Sequence, residues 1–185
     1  MAMNLELKKF DMSQIRDDNV VVLIGKRDTG KSFLCRDILY HHKGIPVGQV
    51  ISGTEGANQF YQKIVPKLFI HEEFSTEIVQ NMLKRQKLMI HKMNGGEVTT
   101  DPRAFLILDD CLYDNTWAKD KFMRSVFMNG RHYKLLFLLT MQYALGIPPN
   151  LRTNIDYVFI LREPYIANRK RIYENYAGMF PTFES

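Results

Sequence analysis

The stretch Gly25-Lys26-Arg27-Asp28-Thr29-Gly30-Lys31-Ser32 decides how the rest of the chain is read. It holds a glycine, four free positions, a second glycine, a lysine and a hydroxyl residue. Paired glycines let a backbone close around an anion with successive N–H groups turned inward. In that arrangement Lys31 neutralises the outer phosphates of a nucleotide and the Ser32 hydroxyl ligates Mg²⁺. The same spacing arises by chance in glycine-rich turns, so a buried strand must precede it and a helix must follow. Val20-Val21-Val22-Leu23-Ile24 is apolar throughout and mostly β-branched, as in a parallel strand covered on both faces. Phe33, Leu34, Ile38 and Leu39 then recur at helical spacing, which turns a helix N-terminus toward the anion. Residues 25–33 are therefore the candidate nucleotide ligands, with Phe33 the last of them.

Working outward, 185 residues with 45% hydrophobic and 24% charged content suit one domain over residues 1–185 with a full core. A net charge of +5 permits contact with nucleic acid without requiring it. The two cysteines, Cys35 and Cys111, lack metal-ligand spacing and read as buried free thiols of a reducing compartment. Apolar runs of about five residues fall far short of the roughly 20 that span a bilayer, so no transmembrane helix is expected. The start of the chain, with Glu6, Lys8, Lys9 and Asp11, lacks the apolar core of a secretory signal.

Residues 1–19 form a polar lead-in whose Leu5, Leu7, Phe10 and Ile15 either add an edge strand or lie across a neighbour. After the loop and its helix, residues 48–52 read as a second strand, followed by a short helix to about Val65 that Pro66 stops. Leu68-Phe69-Ile70 suggests a further short strand. Ser75 caps a long helix over 76–93 with Ile78, Val79, Met82 and Leu83 on its apolar side. Its other face carries Lys84, Arg85, Lys87 and Lys92, a solvated surface or a nucleic-acid track, and Asn94-Gly95-Gly96 closes it. A buried strand over 104–110 ends in paired carboxylates. A helix over 117–129 follows, with Phe122, Met123, Val126 and Phe127 inward and Gly130 as its cap. Strands over 135–140, ending at Gln142, and 157–161 complete the series. Apolar strands alternating with helices predict a layered α/β fold with a mainly parallel sheet.

In such a sheet, ligands bind beyond the carboxyl ends of the strands, which brings residues 25–32, Asp109, Asp110 and Gln142 to one edge. Hydrolysis of a nucleoside triphosphate needs a phosphate cradle, a metal, a group that orients water and a compensating cation. Asp109 is the candidate metal ligand beside Ser32, and Asp110 the candidate to polarise the attacking water, its alternative being a cap or a group that hydrogen-bonds a metal ligand. Gln142 can donate to the γ-phosphate while accepting from water. Arg131 starts its strand at the far end of the sheet, so it serves either a structural ion pair or a neighbouring subunit's site; Arg152 is a second candidate for that role. Met141 and Tyr143 read as packing.

Phe105-Leu106-Ile107-Leu108-Asp109-Asp110-Cys111, Phe127-Met128-Asn129-Gly130-Arg131-His132, the run from Thr140-Met141-Gln142 to Arg152-Thr153-Asn154, and Ser52-Gly53-Thr54-Glu55 resemble the poxvirus-type genome-packaging ATPase of nucleocytoplasmic large DNA viruses, a branch of the FtsK and HerA superfamily. The resemblance spans residues 20–185 and implies a three-layer P-loop NTPase fold of the RecA/ASCE type. It implies an ATP-driven, Mg²⁺-dependent motor that moves double-stranded DNA into a capsid. It also implies a homo-oligomeric ring, pentameric or hexameric, a capsid or portal-vertex partner, and a place in the viral factory of the host cytoplasm or in the virion. Under it, Asp109 and Asp110 are the metal-binding and water-activating pair, Gln142 is the polar sensor on the adjacent strand, and Arg131 is the arginine that acts in trans. Many relatives have Glu where Asp110 stands, and the family domain usually continues past the position of Ser185, which implies a truncation there.

Three other readings compete. A HerA-like cellular ATPase in DNA processing or segregation has the same mechanism. A P-loop small-molecule kinase needs an acceptor pocket and a lid with arginines, and the sequence shows no clear lid. A nucleotide-binding assembly subunit without turnover sits poorly with intact Lys31, Ser32, Asp109 and Asp110.

Overall fold

The computed structural model describes residues 6, 8–97, 100–114 and 116–183. Six strands form one sheet: β1 (Val20–Ile24), β2 (Val47–Ser52), β3 (Ile70–His71), β4 (Ala104–Asp109), β5 (Leu135–Met141) and β6 (Tyr157–Ile160). Their order is β3-β2-β4-β5-β1-β6, every pair parallel. Parallel neighbours need crossover connections, and among the described residues a helix lies in each of the five: α1 (Lys31–His41), α2 (Glu55–Asn58), α3 (Thr76–Asn94), α4 (Lys121–Asn129) and α5 (Pro149–Arg152); α6 (Ile166–Tyr176) follows the last strand. The fold is the expected three-layer arrangement of the P-loop NTPases, with the central sheet fully parallel.

Alternation along the strands sends side chains to two cores. Val22, Ile24, Leu106, Leu108, Phe137 and Leu139 pack on one face against Val79, Met82 and Leu83 of α3, Met123 and Val126 of α4, and Ile172 of α6. Val21, Leu23, Ile107, Leu136 and Leu138 pack on the other against Cys35 and Ile38 of α1, and Ile15, Tyr61 and Val65. Because β1, β4 and β5 are buried over nearly their whole length, their sequences are apolar runs without a polar face.

Several boundaries differ from the sequence reading. Residues 117–129 do not form one helix. A 3₁₀ turn (Thr116–Lys119) precedes Asp120, whose carboxylate accepts from Phe122 N and Met123 N and starts α4 afresh. The local N-cap overrides the apolar periodicity. The short helix before Pro66 likewise splits into α2 and a 3₁₀ turn at Tyr61–Lys63, and residues 67–69 are 3₁₀, with only Ile70–His71 pairing as a strand. Along α1 the buried positions are Lys31, Cys35 and Ile38, whereas Phe33 is 59% exposed. Ser75 caps α3 as expected, accepting from Glu77 N at 3.2 Å. Gln86, fully buried in α3, spans the turns before β4 and β5 by donating to Pro102 O and Tyr133 O.

Among the described residues the lead-in lies across a neighbour and adds no strand. Phe10 meets Tyr157 and Phe159 of β6 edge-on at 5.5 and 5.4 Å, and Ile15 is buried. Leu5 and Leu7 are outside the described residues. Both cysteines are buried and free. Among the described residues no helix is long and apolar enough to cross a membrane.

Candidate active site at the carboxyl edge of the sheet

Between β1 and α1 the backbone wraps a hollow, and its two glycines do so for different reasons. Gly30 adopts φ +97°, where a side chain is strained. At Gly25 the constraint is space, since a Cβ would lie 2.7 Å from Thr29 Oγ1 and 2.8 Å from Leu161 Cβ. Thr29 Oγ1 ties the loop by donating to Lys26 O at 2.8 Å.

Lys31, 6% exposed, folds back so that its Nζ donates to Gly25 O at 2.8 Å and Lys26 O at 2.9 Å. The same Nζ stands 3.7 Å from Asp110 Oδ2. A buried ammonium needs such partners, and an entering phosphate offers it stronger, charged ones.

The end of β4 delivers the acidic pair in two different ways. Asp109 is buried and accepts three hydroxyl protons: from Ser32 Oγ (2.8 Å) and Tyr61 OH (2.7 Å) at Oδ2, and from Thr140 Oγ1 (2.5 Å) at Oδ1. Asp110 turns into the left-handed region at φ +50°; its N–H donates to Thr140 Oγ1 at 3.0 Å and its Oδ2 accepts from Gln142 Nε2 at 3.0 Å. That turn carries the second carboxylate out of the strand alternation and into the open hollow.

The hollow is a cavity of about 580 Å³ lined by residues 27–33, Asp109, Asp110 and Gln142, with Asn58, Phe60 and Tyr113 on another wall. This size lies within the range of small-ligand sites. The loop, the acidic pair and the amide at 142 thus meet at one place. Gly25 and Lys26 stay off the wall; the Lys26 ammonium sits 3.7 Å over the Tyr165 ring and 3.8 Å from Glu163. The structure keeps both candidate arginines away from the cavity. Arg131 pairs with Asp156 at 2.6 Å with its side chain 55% exposed, and Asp156 in turn accepts from Val20 N at the amino end of β1. Arg152 donates to Asn175 and lies over the Tyr176 ring. Tyr143 is 72% exposed and does not pack as expected, whereas Met141 is buried.

Ser32 Oγ and the Asp109 carboxylate form a hard-oxygen donor set, which fits Mg²⁺ completed by phosphate and water oxygens. Burial, then the neighbouring Cys35 and Asp109, push the Tyr61 hydroxyl well above its ordinary pKa, which keeps it a donor to Asp109. Burial also raises the Cys111 thiol to about 12 and the Cys35 thiol well above its usual value, so both thiols keep their protons at neutral pH.

The sequence reading did not include Tyr61, Thr140, Asn58, Phe60 or Tyr113 in the site. Thr140 carried a usable signal, a lone hydroxyl at the end of an apolar strand beside the one that ends in Asp109. Tyr61 carried none, because it lies in an unpatterned segment and reaches Asp109 only through tertiary folding.

A glycine-bearing loop between a central strand and its following helix, in a parallel sheet that brings an acidic pair alongside, matches the P-loop NTPase fold. Within that class, the chain belongs to the same family as protein 075L of Invertebrate iridescent virus 6. The two are 46% identical over 188 residues, covering 96% of this chain and 71% of that protein. Protein L437 of Acanthamoeba polyphaga mimivirus is 43% identical over 181 residues, 96% of this chain and 64% of that protein. The chain thus spans about two thirds of the length of these relatives. No family model matches it. Among solved structures, the genome packaging NTPase B204 of Sulfolobus turreted icosahedral virus 2, in complex with AMPPCP, superposes with a TM-score of 0.60. That match has 14% identity and covers 89% of this chain and 85% of B204; it speaks to the fold.

Proposed function

We propose that this chain is an ATP-hydrolysing motor domain that drives double-stranded viral DNA into a capsid, as in the poxvirus-type packaging ATPases. One observation carries the reading: Lys31, Ser32, Asp109, Asp110 and Gln142, drawn from three strand ends, line a single cavity. Kinship with proteins of large DNA viruses and a fold shared with a viral packaging NTPase support the packaging role.

In this mechanism the inward N–H groups of residues 27–33 bind the phosphates, and Lys31 exchanges the Gly25 and Lys26 carbonyls for phosphate oxygens. Ser32 and Asp109 would hold Mg²⁺, which would supply neutralising charge for the triphosphate. Gln142 engages Asp110 at Oδ2, leaving Oδ1 to accept a proton from water as the water oxygen bonds to the γ-phosphorus. The bond from that phosphorus to the bridging oxygen breaks, and ADP and inorganic phosphate leave. Arg131, held on an exposed ion pair, is available to a neighbouring subunit of a ring. The place of action is the viral factory of the host cytoplasm or the virion.

The test is the ATPase rate of the chain with and without duplex DNA at two salt concentrations. Stimulation that weakens with salt is expected, since contacts to DNA phosphates are salt-sensitive. Turnover indifferent to DNA at both salts would remove the motor reading.

A further inference from the structure

We infer that Tyr61 is a positioning residue for the metal centre, acting through Asp109. The inference rests on reading the cavity as a Mg²⁺–nucleotide site. A carboxylate rotates readily about its terminal torsion, which has broad, two-fold wells. Asp109 lacks that freedom because donors hold both of its oxygens. Thr140 Oγ1 bonds Oδ1, while Tyr61 OH shares Oδ2 with Ser32 Oγ. Two of these donors belong to the loop and the sheet. The third comes from a single 3₁₀ turn, Tyr61–Lys63, outside the sheet.

That turn is itself fixed. Glu55, 1% exposed, accepts from Tyr61 N at 3.0 Å and from Gln62 N at 2.9 Å, one proton on each carboxylate oxygen. Tyr61 O accepts from Ile64 N and Val65 N, and the ring, 1% exposed, stands edge-on to Phe60 at 5.1 Å. A buried acid at the start of α2 thus pins a tyrosine whose hydroxyl reaches Asp109 across 48 positions of sequence. The consequence for chemistry is at Ser32. While its hydroxyl proton points at a fixed Oδ2, its lone pairs stay turned away from Asp109 and free for a cation. If Asp109 rotates, Ser32 is free to donate elsewhere and the cation loses an oriented ligand.

Tyr61→Phe removes the hydroxyl and keeps the ring, leaving Asp109 two of its three donors. The measurement is binding of a fluorescent non-hydrolysable ATP analogue to the full chain, first in EDTA and then across a Mg²⁺ titration. Tyr61→Phe is expected to raise the Mg²⁺ concentration at half-maximal effect about tenfold, the usual scale for losing a partner of a metal ligand. Its affinity in EDTA and its thermal midpoint are expected to stay close to wild type. An unchanged Mg²⁺ midpoint overturns the inference, as does an equal loss with and without Mg²⁺, which would make Tyr61 a structural residue alone. If the wild-type chain binds the analogue no better with Mg²⁺ than in EDTA, the Mg²⁺ part of that reading falls and takes this inference with it. A wild-type Mg²⁺ response matched by Tyr61→Phe defeats the inference and leaves that reading standing.

Discussion

The two ends of the sheet handle charge in opposite ways. At the carboxyl end Lys31 and Asp109 are 6% and 3% exposed, and short bonds to backbone carbonyls or hydroxyls satisfy each of them. At the amino end Asp17, Asp101 and Arg103 form a chain of ion pairs with side chains 35% exposed, joined by buried His42, and Arg131 pairs with Asp156 nearby. Buried charge is costly unless tightly partnered, and half-exposed pairs contribute little. One end therefore concentrates buried, tightly partnered charge around a cavity, and the other carries half-exposed ion pairs on its surface.

The sharpest way to break this contrast is at Asp110, the carboxylate in the cavity. Asp110→Asn is expected to lower ATP turnover by roughly a thousandfold, within the range for loss of a general base, while analogue binding persists. Comparable turnover would show that the carboxyl end needs no base there. Lys31→Ala should follow, weakening nucleotide affinity by about a hundredfold through loss of charge-assisted phosphate contacts, with an unaltered circular dichroism spectrum. At the amino end, Arg131→Ala should cost less than about 1 kcal/mol of stability and still abolish turnover in assembled rings. Mixing inactive Arg131→Ala with inactive Lys31→Ala subunits should restore part of the activity; verified mixed rings that stay inactive would confine Arg131 to its own ion pair.

The smallest effect expected is on acid stability. Burial tends to raise the Asp17 carboxyl, but hydrogen bonds from His42 and Arg103 outweigh it and the net shift is downward from 3.8. A lowered folded-state value means that the unfolded chain binds the proton more readily. The stabilisation is thus present above about pH 4 and is lost as pH falls through the folded value. Asp17→Asn should lower the urea midpoint slightly at neutral pH and flatten its decline between pH 5 and 2, both approximate bounds of the carboxylate range. Equal slopes for the two proteins would show that the amino-end network carries no proton linkage.

What could be read in advance follows the same division. Val20–Ile24 and the loop after it were legible because a wholly buried strand leaves an apolar run, and phosphate wrapping demands glycines at fixed places. Asp109, Asp110 and Gln142 were legible because each directly follows such a run, which makes its position in a parallel sheet a matter of topology. Tyr61 was not legible, since nothing local distinguishes a tyrosine that reaches a carboxylate from one that fills space. Phe33 was misplaced for a related reason: spacing put it on the apolar stripe of α1, but the stripe narrows where the helix opens on the cavity. The break at Asp120 escaped because Trp117, Phe122 and Val126 keep an apolar pattern across a cap that restarts the helix.

The position of β1 has a consequence for how the molecule is made. Its neighbours are β5 and β6, and its first N–H bonds the side chain of Asp156, 136 positions later in the chain. On the ribosome β1 is made before both of its sheet neighbours, so it lacks a partner on one flank until β5 is free to pair and on the other until β6 is. A newly made chain that has not yet freed Tyr157–Ile160 exposes at least one side of this apolar strand, which makes release of β6 the step at which chaperone dependence should end.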